Sequence, residues 1–177
     1  MYNTLFWWDV AGAIAIFFLG AFIHIGFEIT NKISIFTPFF AVNESLWEHT
    51  KLTFWAPIIF SVIEYFFIGR YYPCFIFAKT CSAIITSVTM IFLFYTLSGS
   101  LGIHSLIFHL IIFEISIITG LIAGYLIITK CSCLPWLTYI SIAFIILSIP
   151  IYYILSYSPP RLPIFKCNVS GQYGIQK

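Results

Sequence analysis

The sequence predicts an all-α integral membrane protein, a bundle of about five transmembrane helices with a short interfacial or re-entrant segment after the first. Three observations carry this. Hydrophobic residues make up 61% of the 177 residues and charged residues only 8%, where an ordinary globular domain is about 25% charged. Mean hydropathy is +1.03. Five stretches are long and apolar enough to cross a bilayer, which takes about 20 residues each. So few charges cannot cover a soluble fold of this size. Soluble enzymes, nucleic-acid binders and disordered linkers are excluded, and a net charge of +2 is too small to draw a polyanion.

The predicted spans are residues 5–29, 52–69, 75–97, 101–128 and 134–157, which with a motif-bearing linker at 30–51 make one bundle from 1 to 157. The first lacks the basic flank of a cleavable signal, runs too long for one, and keeps polar residues. The linker contains an apolar run, Ile33 to Val42, too short to cross and broken by Pro38. Arg70-Tyr71-Tyr72-Pro73, Ser98-Gly99-Ser100 and Lys130-Cys131-Ser132-Cys133 punctuate the later spans. Pro57 and Pro150 lie inside spans and each deletes a backbone donor, which predicts kinks. Trp7, Trp8, Tyr71, Tyr72, Trp136 and Tyr157 sit near span ends as interfacial anchors. Residues 158–177 form an extended, Pro-rich tail. No internal repeat is apparent, so an inverted-repeat transporter is not supported.

Five crossings put the termini on opposite sides. The N-terminal side holds Arg70, Lys79 and Lys130; the other holds Lys32, Lys51, Arg161, Lys166 and Lys177. The basic excess makes the C-terminal side cytoplasmic in a multi-pass protein of the cell membrane. Cys74, Cys81, Cys131 and Cys133 gather on the N-terminal side, where Cys74 can bridge to Cys131 or Cys133 if that side is oxidising.

Ionisable groups inside a membrane are costly, so their placement is informative. His24 and Glu28 end the first helix; Glu44, Glu48 and His49 open the second; His104 and His109 open the fourth. All lie toward the C-terminal side. His24 and Glu28, four apart, share a helix face. His104 and His109, five apart, diverge by about 140°. The candidate metal ligands are His24, Glu28, His49, His109 and His104, zinc being the candidate ion, with Glu48 and Glu44 as candidate catalytic bases. Plainer roles compete. Ser45-Leu46-Trp47-Glu48 fits a capping box, Lys51 fits a snorkelling cation, and an interfacial histidine often just reaches water.

The string Ala41-Val42-Asn43-Glu44-Ser45-Leu46-Trp47-Glu48-His49-Thr50-Lys51-Leu52 is the most distinctive in the chain. With Phe54-Trp55-Ala56-Pro57 after it, His24 and Glu28 before it, and a tail reading Pro159-Pro160, Pro163-Ile164-Phe165 and Gly171 to Ile175, it resembles the hallmark of a family of small bacterial integral membrane proteins known only as a domain of unknown function. Such a relative would carry an acidic residue after the tail phenylalanine, where this chain has Lys166-Cys167-Asn168. The resemblance implies the architecture and names no reaction.

Three functions remain open: a membrane-embedded metal-dependent hydrolase acting on a lipid or small molecule, a proton- or cation-coupled carrier or channel, and a non-catalytic accessory membrane protein. Five spans without repeats leave a carrier little room for alternating access unless the chain forms an oligomer.

Overall fold

In the computed structural model, residues 2–102 and 105–175 are described, and among them the fold is all helical, with no strands. Five long helices make it: α1 (Tyr2–Ile29), α2 (Leu46–Phe67), α3 (Phe75–Leu93), α4 (Leu106–Lys130) and α5 (Trp136–Tyr157). All but α2 are long and apolar enough to cross a membrane. α2 carries Glu48, Lys51 and Glu64, and it buries all three, together with about half of its apolar residues, inside the bundle.

The helices alternate in direction. Leu5 of α1, Phe75 and Ala78 of α3 and Ile128 of α4 share one apolar cluster, so the start of α1 and α3 and the end of α4 meet at one end. At the other end His109 of α4 lies 5.5 Å from Phe94, just past α3. A disulfide from Cys74 to Cys133 closes the first end by joining the α2–α3 and α4–α5 connections. Of the two pairings open to Cys74, this is the one formed, and Cys131 is exposed.

Close packing of α3 on α4 rests on small residues. A Cβ on Gly120 would meet the Ser82 carbonyl oxygen at 2.6 Å, and one on Gly124 would meet the Ser82 Cβ at 3.2 Å. A small-xxx-small stripe of this kind lets helix backbones approach where apolar burial gives no driving force.

Several boundaries depart from the predicted spans for local reasons. α2 starts at Leu46 rather than residue 52, because Ser45 caps it: its Oγ accepts from the Glu48 amide. α3 gives way to a π turn, Phe94–Ser98, and a short helical turn, Gly99–Leu101. α4 starts late, at Leu106, where Ser105 takes the same capping role toward the Phe108 amide. α1 stops where Asn31 and Lys32 adopt positive φ of 52° and 61° and the Lys32 amide donates back to the Phe27 carbonyl. The linker then folds over the bundle through a 3-10 turn at Ser34–Phe36, and the Ala41 amide donates to the Ile23 carbonyl of α1.

The tail is docked rather than free. It makes isolated bridges from Ser45 to Cys167 and from Lys166 to Tyr173, and the Phe165 ring stacks 5.0 Å from Trp47.

Candidate metal centre at one end of the bundle

Asn43 begins the local structure. Its Oδ1 accepts from the Ser45 amide at 2.8 Å, an Asx turn, and its Nδ2 donates to the Gly174 carbonyl at 2.9 Å. The turn and the Ser45 cap place Glu44 just outside the helix and His49 on its first turn. The tail steadies Glu44, whose carbonyl accepts from the Asn168 amide at 3.1 Å.

Those constraints bring Glu44 between two histidines. His24 Nε2 lies 3.4 Å from Glu44 Oε1, and His49 Nε2 lies 3.4 Å from Glu44 Oε2. The two imidazoles sit 5.2 Å apart, centroid to centroid. One donor atom from each residue lies within 4.8 Å of the others. All three side chains are partly exposed, at 35%, 44% and 25% for His24, Glu44 and His49. Zinc bonds of about 2.0–2.1 Å in tetrahedral geometry hold neighbouring donors about 3.3–3.4 Å apart. Each nitrogen–oxygen separation is close to that spacing, but the two run to different oxygens, so an ion between the imidazoles would take Glu44 through both of its oxygens.

His49 is also oriented from behind. Its Nδ1 lies 2.9 Å from the Ser45 carbonyl oxygen. A carbonyl only accepts, so Nδ1 carries hydrogen, and a neutral ring then turns the Nε2 lone pair toward a carboxylate. Two acceptors face each other unless a proton or a cation lies between them. The flanking histidines, His24 first, hold the Glu44 carboxyl well below the usual carboxylate range.

The other candidates are engaged elsewhere. Glu28 turns away to an exposed pair with Lys32 at 3.4 Å. His109 packs on Phe94, and His104 lies outside the described residues. Glu48 is 1% exposed: Oε2 accepts from the Val42 amide at 3.0 Å and from Lys51, and Oε1 accepts from the Ser156 hydroxyl at 2.6 Å. It therefore does the reach-back half of a capping box, onto Val42, while joining an ion pair.

Lys51 does not snorkel. It is fully buried and donates to the Thr37 carbonyl (2.7 Å), the Phe40 carbonyl (3.1 Å), Ser156 Oγ (2.8 Å) and Glu48. One ammonium thus ties the linker, α2 and the end of α5 together directly beneath the histidine pair's helix start.

A second buried ion cluster was not foreseen from sequence. Lys79 Nζ lies 2.7 Å from both Asp9 Oδ1 and Glu64 Oε2. From the sequence, Lys79 reads only as one of the cations of the N-terminal side. Three charges at matching depth on three helices were the available signal, but no spacing rule pairs residues so far apart in sequence.

Neither a curated protein nor a solved structure matches the chain. A family model does, over residues 2–175, nearly its whole length. The motif, the tail docked upon it and the helices around them thus lie within one family's extent: the chain belongs to the family described as "Family of unknown function (DUF6512)".

Proposed function

We propose that this is a five-crossing membrane protein carrying a zinc site of His24, Glu44 and His49 at its cytoplasmic boundary, and that it acts as a metal-dependent hydrolase on lipid or lipid-like substrates. The observation that carries the reading is the pair of 3.4 Å separations from one carboxylate to two imidazole nitrogens, with His49 fixed by its bond to the Ser45 carbonyl. Two histidines and a carboxylate suit zinc and leave a position open for water, and a backbone carbonyl behind a ligating histidine is the usual support. A bound zinc supplies an acidified water at neutral pH. His24, Glu44 and His49 would hold the ion, and their partial exposure admits a substrate from the interface. Glu48 and Lys51 support the site from below and stay out of the chemistry.

Topology follows from the same ends. α2 crosses as the fifth span, with Glu48 paired to Lys51 and Glu64 set beside Lys79 inside the bundle. The Cys74–Cys133 bridge favours an oxidising compartment at the N-terminal end. Leaving the buried Lys51 and Lys79 out of the basic count preserves the excess at the C-terminal end, which favours a cytoplasmic tail.

The test is hydrolysis in proteoliposomes. Protein stripped with chelator and reloaded with zinc is given a panel of phospholipid and acyl-ester substrates. Turnover that needs zinc and vanishes in His49→Ala supports the reading. Full zinc reloading with no turnover on any substrate removes the hydrolase assignment.

A further inference from the structure

At the opposite end of the bundle, three charged side chains from three helices meet out of contact with water. Asp9 comes from α1, Glu64 from α2 and Lys79 from α3, with exposures of 8%, 0% and 4%. Lys79 Nζ lies 2.7 Å from one oxygen of each carboxylate, and it donates a hydrogen bond to Asp9 Oδ1. Its ammonium also lies 5.5 Å from the centre of the Phe75 ring.

The charges do not balance. Two carboxylates against one ammonium leave one negative charge in excess. Burial of a charge without compensation is far more costly than neutralising it. The charged groups that act on the two carboxyls are the cluster's own: Lys79 attracts both, and Asp9 and Glu64 repel each other. Arg70, at the same end, is exposed and bonded to the Tyr71 hydroxyl, and Lys130 is exposed at the last residue of α4. α4 and α5 bring no charged side chain to the cluster among those acting on it.

Hydrogen bonding is incomplete as well. Glu64 Oε1 and Asp9 Oδ2 are buried and have no partner, and Glu64 Oε2 has no aligned donor despite its closeness to Lys79. A native protein rarely leaves buried oxygens in that state. One added cation answers both deficits, and the smallest is a proton, which turns one carboxylate oxygen into a donor.

We infer that Asp9, Glu64 and Lys79 form a buried proton-binding site, in which the two carboxyls share one proton alongside the Lys79 ammonium. Two like carboxylates at one site cannot readily both ionise, and the pair titrates as a unit. The site is separate from the histidine cluster and does not depend on it. Lys79 also lines a cleft of about 220 Å³ between α2 and α3, with Ser61, Tyr65 and Thr80.

The experiment is infrared spectroscopy of the purified full-length protein in lipid nanodiscs at pH 7, in sodium-free and sodium-containing buffer. The expected result is a protonated-carboxyl band that shifts on deuteration, is lost in Glu64→Gln or in Asp9→Asn, and survives in Glu114→Gln, the carboxyl on α4 outside the cluster that also has a buried oxygen without a partner. Each of the two key variants keeps one carboxylate opposite one ammonium and is close to isosteric, so each balances the charge and folds. A wild-type spectrum without such a band, a band removed only by Glu114→Gln, or a band that appears only when sodium is withdrawn would overturn the proposal. The last outcome would assign the third cation as sodium.

Discussion

Replacing Lys51 by methionine tests how the motif is held. The ammonium is fully buried and has four acceptors, one of them the equally buried Glu48 carboxylate. Removing it leaves Glu48 as an isolated internal charge, supported only by the Val42 amide and the Ser156 hydroxyl. Breaking a buried pair from one side costs about 3–5 kcal/mol. The freed carbonyls of Thr37 and Phe40 push toward the upper figure. Ser45→Ala removes only a cap and costs about 0.5–2 kcal/mol. The double variant Lys51→Met with Glu48→Gln removes both charges, so its loss falls short of the summed single losses by about 2 kcal/mol or more. Reversible unfolding in mixed detergent micelles measures the wild type, Ser45→Ala, the two single charge variants and their double. A Lys51→Met loss below about 1 kcal/mol, or simple additivity in the cycle, would refute the buried-clamp account. So would a Glu48→Gln variant that folds normally yet loses its metal, because Glu48 would then serve the site directly.

Three further outcomes follow from the geometry. Zinc affinity should fall as pH drops, and the fall should begin above the ordinary imidazole value, because the Glu44 carboxylate beside His24 raises that histidine's proton affinity. Protonation of Glu44 itself adds nothing to that loss: its carboxyl is held below the usual range, so its stabilising contribution is present above the unfolded-state value and disappears only as pH falls through the lower folded value; titration calorimetry from pH 8 to 5 shows whether the decline tracks the histidines. Cys74→Ser should destabilise the oxidised protein by about 4 kcal/mol, the loop-entropy value for a bridge spanning 59 residues, and should leave the reduced protein unchanged. Gly120→Ala should cost about 1–3 kcal/mol by forcing α3 and α4 apart at Ser82, seen as loss of α3–α4 cysteine cross-linking, while Gly99→Ala, with open space around it, should be nearly neutral.

The helices were legible because length and apolarity decide them, and hydropathy needs no knowledge of partners. Boundaries shifted where one side chain overrode hydropathy: Ser45 starts α2 early because a cap satisfies amides that polar residues would otherwise leave open. His24 and His49 were singled out from depth alone. Their third partner was weighed as a base, because a residue in a turn has no periodicity from which its direction can be read. Glu28 illustrates the converse. Its spacing from His24 fixed a shared helix face, yet Lys32, folded back by the left-handed end of α1, draws it to the surface. The buried lysines were illegible for a related reason: near the end of a span, a snorkelling cation and an internally paired one have the same sequence signature, and only the carbonyls of the linker decide for Lys51.

Metal stoichiometry tests the central claim most directly. Protein purified at pH 7.5 and equilibrated with one equivalent of zinc is desalted and measured by inductively coupled plasma mass spectrometry, with X-ray absorption at the zinc edge to identify the ligands. The account predicts one zinc per chain in a shell of two imidazoles and light-atom donors, lost in His24→Ala and in His49→Ala and weakened in Glu44→Gln. Zinc retained equally by the histidine variants, a sulfur-containing shell, or no zinc on the wild-type chain would contradict it.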